Sequence, residues 1–226
     1  FGVVGTTGQR CTSTRRLFLH KKIAPEFLST LLGLCNDIRF GDPFDPETVA
    51  GPLIDEQAVL NYLQAIDTAE AEGGEILLRG ARLDRSGFFV TPTIVYIKGK
   101  KQISIMKKET FAPMLYIMEI ESIEESVLLA NEVQNQLSSG IFTENISALF
   151  YFIQNSLTGI CNINCGTGGA ESTNEFGGNF HTGWGREGGG DAWKNFMLST
   201  GGVINFSGKT ILAQGIDFFE HLKTEK

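Results

Sequence analysis

Met114-Leu115-Tyr116-Ile117-Met118-Glu119-Ile120, followed at once by Glu121-Ser122-Ile123-Glu124-Glu125, carries the clearest statement of fold in this chain. The first seven residues read as a strand. Ser122 with Glu125 three positions on forms a capping box, which opens a helix through Val127, Leu128 and Val133. The same strand-then-helix order extends in both directions. Upstream, Leu17-Phe18-Leu19-His20 reads as a strand. A helix follows from Pro25 with Phe27, Leu28, Leu31, Leu32, Cys35 and Ile38 at helical spacing, and Gly41-Asp42-Pro43 ends it. A second helix runs from about Asp55 to Glu72, with Val59, Leu60, Leu63 and Ile66 on one face, and stops at Gly73-Gly74. Glu75-Ile76-Leu77-Leu78 and Phe88-Phe89-Val90 read as strands, the second ended by Pro92. Downstream come a short strand at Gly140-Ile141-Phe142, a helix from Ile146 to Ser156, a strand from Gly159 to Asn164 and a last strand at Val203-Ile204-Asn205-Phe206. This alternation predicts an α/β fold: a three-layer domain with a largely parallel sheet flanked by helices. Residues 166–190 break the pattern with Gly, Thr, Asn and Glu, and a loop that long in a compact domain is usually functional.

Composition narrows the function. The chain has 226 residues, 42% hydrophobic and 20% charged, with 17 Phe to fill a core, which is the balance of an ordinary globular protein. Its 19 Lys and Arg against 26 Asp and Glu leave a net charge of −7, which argues against a nucleic-acid or anionic-membrane partner. No stretch approaches the ~20 apolar residues of a spanning helix, and no signal peptide opens the chain. Four irregularly placed Cys do not make a disulfide framework, so the expectation is a cytoplasmic protein. The abrupt apolar opening at Phe1-Gly2-Val3-Val4-Gly5 is expected for a piece cut from a longer protein, with a trimmed terminus as the alternative.

Two motifs mislead. Gly183-Trp184-Gly185-Arg186-Glu187-Gly188 fits the G-x-G-x-x-G pattern, yet it lacks the apolar strand before and the apolar-faced helix after that pyrophosphate binding needs. Cys161 and Cys165 have the wrong spacing for a zinc knuckle, and His20, His181 and His221 are scattered, so no metal is expected. Cys11 stands apart. Cys35 and Cys161 fall in a predicted helix face and strand, as small buried hydrophobes do, whereas Cys11 sits in the polar Gly8-Gln9-Arg10-Cys11-Thr12. At a loop-to-helix junction, free N–H groups, the positive end of the helix dipole and the nearby Arg10, Arg15 and Arg16 would favour its thiolate. The same N–H groups would receive an oxyanion. On these residues alone, a loop cysteine of no chemical consequence remains an equal alternative.

Gly8-Gln9-Arg10-Cys11-Thr12 resembles the nucleophile segment of the NAD(P)-dependent aldehyde dehydrogenases. Further landmarks follow in the order of that family. Gly41-Asp42-Pro43-Phe44-Asp45 with Gly51-Pro52-Leu53 resembles its G-N-P-x-D…G-P-L loop. Glu109-Thr110-Phe111-Ala112-Pro113 resembles E-x-F-G-P, and Phe176-Gly177-Gly178 with Thr182-Gly183-Trp184-Gly185-Arg186-Glu187 resembles F-G-G…S-G-x-G-R-E. Ala112 in place of Gly, Gly169-Ala170-Glu171, Asp191-Ala192-Trp193-Lys194 and Ala213-Gln214-Gly215-Ile216 resemble one branch, the α-aminoadipic semialdehyde dehydrogenases. Phe180 stands where the family commonly has Lys, and Trp184 stands between two glycines.

The resemblance implies a fold and a chemistry. Cys11 matches the nucleophile, which forms a thiohemiacetal and then a thioacyl intermediate with the aldehyde. Glu109 matches the ligand of the nicotinamide ribose and Phe111 the ring beside the nicotinamide, with NAD as cofactor and NADP not excluded. Gly169 and Ala170 match a loop whose N–H groups bind the substrate carboxylate, Arg10 matches a residue at the polar end of the substrate, and Phe176 matches a tunnel wall. Residues 1–200 correspond to the catalytic domain and 201–226 to a C-terminal strand and tail that takes part in oligomer contacts, in a homodimer or homotetramer. The family's dinucleotide-binding domain, general-base Glu and oxyanion Asn precede the nucleophile, so this chain alone is expected to be inactive. The alternatives are a dehydrogenase for another semialdehyde, a CoA-acylating one, or a non-catalytic domain that binds partners through a strand edge.

Overall fold

The structure is a computed structural model that describes residues 1–168 and 173–209. Twelve regular elements follow in chain order: β1 (Arg16–His20), α1 (Ala24–Asn36), α2 (Glu56–Ala71), β2 (Glu75–Leu78), β3 (Thr93–Ile97), β4 (Met114–Ile120), α3 (Ile123–Asn131), β5 (Asn135–Gln136), β6 (Ser138–Ile141), α4 (Ile146–Asn155), β7 (Ile160–Ile163) and β8 (Asn179–Phe180). Short 3-10 turns at Gly5–Gly8, Ile105–Lys107 and Ala192–Phe196 complete the set. The main sheet has the order β1-β4-β3-β2. Its β1/β4 and β3/β4 pairs are parallel and its β2/β3 pair is antiparallel, so the sheet is mixed. β6 and β7 form a separate parallel pair joined through α4, and β5 pairs antiparallel with β8.

β4 is the middle of three layers, and its sequence shows why. Met114, Tyr116, Met118 and Ile120 face one way and pack with Val59, Tyr62, Ala65, Ile66 and Ala69 of α2. Leu115 and Ile117 face the other way and pack with Leu19, Ala24, Leu28, Leu31 and Leu32, from β1 and α1. A strand covered on both faces reads as a continuous apolar run, because the alternation of side chains leaves neither set in water. The helix starts are local. Ser122 Oγ accepts from Glu125 N–H, the N-cap half of a capping box, while the Glu125 carboxylate reaches one residue further back and accepts from Glu121 N–H rather than from Ser122 N–H. Asp55 caps α2 by accepting from Ala58 N–H, and Asn145 caps α4 by accepting from the N–H groups of Ser147 and Ala148.

Three sequence expectations need correction. Phe88-Phe89-Val90 is not a strand; Val90 makes only an isolated bridge to Arg82, while the Phe88 carbonyl accepts from Leu53 N–H. The strand lies just beyond, at Thr93–Ile97. Pro92 has no N–H to donate, but it precedes the ladder, whose edge begins when Thr93 N–H reaches the Pro113 carbonyl. Val203-Ile204-Asn205-Phe206 pairs with no other segment among the described residues, and Val203 and Phe206 are 97% and 95% exposed. There Asn205 Oδ1 accepts from Ser207 N–H, a local turn in place of a strand ladder.

One buried polar cluster ties α2 to the sheet. Tyr62, fully buried, donates from its hydroxyl to the Thr91 carbonyl at 2.6 Å and stands 2.6 Å from Thr93 Oγ1, which accepts from Gly80 N–H. Burial raises the Tyr62 phenol well above its ordinary pKa, so it stays a donor throughout the working pH range. Tyr62→Phe removes that donor from a site that water does not reach. The expected loss is about 1–3 kcal/mol of unfolding free energy, read as a lower urea midpoint with an unchanged slope.

Candidate active site

The Cys11 turn is built where a strained backbone meets the sheet. Thr6 and Thr7 both have positive φ, 54° and 56°, in the region that ordinary side chains rarely adopt. Gly8 follows at φ 71°, and a Cβ there would collide with the Ala112 carbonyl and with Pro113 N. Only glycine allows that backbone-to-backbone approach. Gln9 reaches sideways: its Nε2 donates to the Pro52 carbonyl at 3.2 Å and its Oε1 accepts from Ile54 N–H at 2.9 Å. Thr7 Oγ1 donates to the Gly51 carbonyl at 2.7 Å. Two stretches far apart in sequence, Gly51-Pro52 and Ala112-Pro113, therefore converge on Thr7-Gly8-Gln9, just before Cys11.

Cys11 occupies a turn closed by Ser13 N–H donating to the Arg10 carbonyl, and it is exposed. The expected loop-to-helix junction is not there. The chain after Cys11 runs straight into β1, so no helix dipole acts on the sulfur. Polar local geometry at Thr12-Ser13-Thr14 resembles a helix start in sequence, but the parallel pairing of Arg16 with Tyr116 claims the segment for the sheet. The Cys11 backbone N–H makes no hydrogen bond among the described residues, which leaves a donor beside the sulfur.

Glu109 and Phe111 lie on the loop between the Ile105–Lys107 turn and β4, and both come to the Cys11 turn through Arg15. The Arg15 guanidinium pairs with Glu109 Oε1 at 2.9 Å and stacks over the Phe111 ring at 5.4 Å from its centre. It also donates to the carbonyls of Ser13 and Arg10, at 3.0 and 3.2 Å. Burial lowers the Arg15 pKa, while Glu109 and then Cys11 act in the opposite direction. Sequence reasoning had counted Arg15 only as one of several cations near Cys11; nothing local marks it as the bridge. Its neighbour Arg16 points elsewhere, to Gln102 and the carbonyls of Leu129 and Ala130 at the end of α3, and burial lowers it to about 10.

Two clefts meet at Phe176. One is lined by Cys11, Phe176, Gly177, Gly178 and Arg186. The other, on the far side of Phe176, is lined by Phe1, Asn162, Cys165, Gly168 and Glu175. Phe176 is held by exchange of backbone bonds with Gly188 and Glu187. Arg186 ties the turn together by donating to the Gly178 carbonyl at 2.8 Å and to Asn179 Oδ1 at 3.0 Å. The G-x-G-x-x-G match is thus a pinned turn that runs into the short Ala192–Phe196 3-10 helix, with no α-helix after it among the described residues. Arg10 folds back so that its Nε donates to Thr6 Oγ1 at 2.8 Å and its guanidinium covers Phe1. Gly169 and Ala170 lie outside the described residues, as do Ala213-Gln214-Gly215-Ile216. Thr167, just before Gly169 and Ala170, is anchored to the segment after Cys11, since its Oγ1 donates to the Thr12 carbonyl and meets Thr14 Oγ1, both at 2.8 Å.

The residues fit a nicotinamide nucleotide on chemical grounds. The Glu109 side chain is 47% exposed, and its second oxygen has no partner among the described residues, so it can accept from sugar hydroxyls. Phe111 is 41% exposed and offers a flat apolar face beside it.

Residues 1–200 match the aldehyde dehydrogenase family, and the chain belongs to that family. It is 44% identical to the α-aminoadipic semialdehyde dehydrogenase of Rattus norvegicus over 220 residues, covering 96% of this chain and 41% of the rat protein. To aldehyde dehydrogenase family 7 member A1 of Malus domestica it is 42% identical over 220 residues, covering 96% of this chain and 43% of the apple protein. The chain therefore spans about two-fifths of the length of these relatives. Among solved structures, the betaine aldehyde dehydrogenase of Staphylococcus aureus in complex with NAD+ superposes with a TM-score of 0.82 at 25% identity, over 92% of this chain and 43% of that one. Among the described residues, no helix is long and apolar enough to cross a membrane.

The four cysteines separate by exposure. Cys11, Cys161 and Cys165 are exposed, while Cys35 is half-buried on α1 and burial raises its thiol pKa. At neutral pH iodoacetamide should label Cys35 slowest, because fewer of its thiols are ionised. Peptide mass mapping of a labelling time course checks this order, and Cys35 catching up as the pH rises would confirm the cause.

Proposed function

We propose that this chain is the nucleophile-bearing part of an NAD(P)-dependent aldehyde dehydrogenase that oxidises an amino-acid semialdehyde of the α-aminoadipic type to its carboxylate. The observation that carries the reading is the convergence on Cys11: an exposed sulfur on a turn held by Gly51-Pro52 and Ala112-Pro113, with Glu109 and Phe111 tied to the same turn. Similarity to the rat α-aminoadipic semialdehyde dehydrogenase supports the choice of substrate, and the NAD+ complex of the Staphylococcus aureus relative supports the choice of cofactor.

The chemistry follows from the sulfur. As a thiolate, Cys11 Sγ attacks the aldehyde carbon; the carbon–sulfur bond forms and the carbonyl pair moves onto oxygen. The Cys11 N–H, free of other hydrogen bonds among the described residues, donates to that oxyanion. When bound, the nicotinamide nucleotide supplies the hydride acceptor. As the carbon loses its hydride, the oxygen pair re-forms the carbonyl and leaves a thioacyl group on Cys11. Water then adds to the thioacyl carbon, and the thiolate departs as the acid is released.

Glu109 would accept from the ribose hydroxyls and Phe111 would lie against the nicotinamide. Arg10 would stand at the polar end of the substrate, Gly169 and Ala170 would give backbone N–H groups to its carboxylate, and Phe176 would wall the tunnel. In this reading residues 1–200 are the catalytic domain and 201–226 a C-terminal segment for oligomer contacts in a homodimer or homotetramer. On the same reading the dinucleotide-binding domain, the general base and the second oxyanion donor are supplied by sequence other than these 226 residues, so these residues by themselves are inactive.

Cys11→Ala in the intact enzyme should lower semialdehyde oxidation by about a thousandfold or more, with NAD+ still binding at its original affinity. Rapid quenching of the parent enzyme with substrate should leave an acyl mass on the peptide that carries Cys11. Turnover by the Cys11→Ala protein within tenfold of the parent, or an acyl mass on another residue, would overturn the reading.

A further inference from the structure

We propose that Arg15 is a positioning residue: one guanidinium sets the carboxylate of Glu109 and the ring of Phe111 relative to the nucleophile turn. The inference rests on Glu109 being the cofactor ligand proposed above, and it assigns that geometry to a residue outside the recognised motifs.

The argument begins with the backbone. The Arg15 carbonyl accepts from Tyr116 N–H at 2.9 Å, so the residue is fastened to β4 before its side chain starts. From that rigid origin the planar fork spends its donors on two segments. One terminal nitrogen meets the Ser13 carbonyl, and the other meets the Arg10 carbonyl and Glu109 Oε1. Its flat face lies on Phe111. Glu109 and Phe111 have no regular secondary structure to orient them, and Phe111 sits at φ 56°, a conformation that needs outside support. Glu109 gives only Oε1 to Arg15, which leaves Oε2 without a partner among the described residues and able to accept from a sugar hydroxyl.

The arrangement is costly to keep. The side chain is 19% exposed, and its Nε is buried with no hydrogen-bond partner among the described residues. An anchor for the turn alone would not need such a group; a lysine could satisfy the two carbonyls without the orphaned N–H. A guanidinium can stack, pair and brace the turn at once because its donors lie in one plane.

The test is a double-mutant cycle on the intact enzyme, with the dissociation constant of NAD+ measured by equilibrium titration rather than by turnover. Arg15→Met and Glu109→Gln should each weaken NAD+ binding by about tenfold. The double variant should lie within about twofold of the weaker single variant, because both changes disable one device. Arg15→Lys restores the charge without the plane and should weaken binding only about threefold. Should Arg15→Met not fold, the cycle is run with Arg15→Lys, whose loss should vanish in the Glu109→Gln background. NAD+ affinity unchanged in the Arg15 variants while Glu109→Gln weakens it would overturn the positioning role and leave the cofactor reading standing. Losses that multiply in the double variant would do the same. Affinity unchanged in Glu109→Gln would remove the cofactor reading itself, and this inference with it.

Discussion

Gly8 has no side chain because the backbone of Ala112 and Pro113 lies where one would be. That close approach depends on β4 being in place, since Pro113 leads directly into Met114, and on the chain reaching Gly8 through two threonines at positive φ. The Cys11 turn is therefore a consequence of the sheet. Cys11 is positioned from both sides by parts of the fold that are themselves fixed: Gly8 against the entry to β4 before it, and Arg15 bonded to Tyr116 after it.

The polar groups around the turn divide into two kinds. Gln9, Thr7 and Thr167 satisfy neighbouring backbone and hold loops together, which is what buried or half-buried polar groups ordinarily do. Arg15 differs, because it carries an unsatisfied N–H and a pKa lowered by burial while bridging two loops. Strain at Thr6, Thr7 and Phe111 lies in the same small region. Departures from local rules that cluster in one place mark a site whose geometry is imposed by the surroundings.

Much of the fold was legible in single residues. Ser122 and Glu125 cap α3 as their spacing predicts, Asp55 caps α2, and β4 occupies the stretch from Met114 to Ile120. Elsewhere pairing overrides a local signal. Pro92, which reads as the end of a strand, stands just before one. The polar residues after Cys11 read as a helix start when Arg16 was destined for Tyr116. At Val203 to Phe206 the apolar run had strand character but no neighbour among the described residues to complete it.

Residue order alone carried the family, the helix start at Ser122 and the alternation of strand and helix, because each depends on side chains a few positions apart or on a motif quoted whole. It could not carry the bond between Arg15 and Glu109, the stacking on Phe111, or the meeting of Gly8 with Pro113. Those partners are about a hundred residues apart in the chain, and nothing short-range links them. They touch because β1 and β4 lie side by side in parallel, a pairing that hydrophobic burial on both faces of β4 brings about and that exists only once the chain has folded.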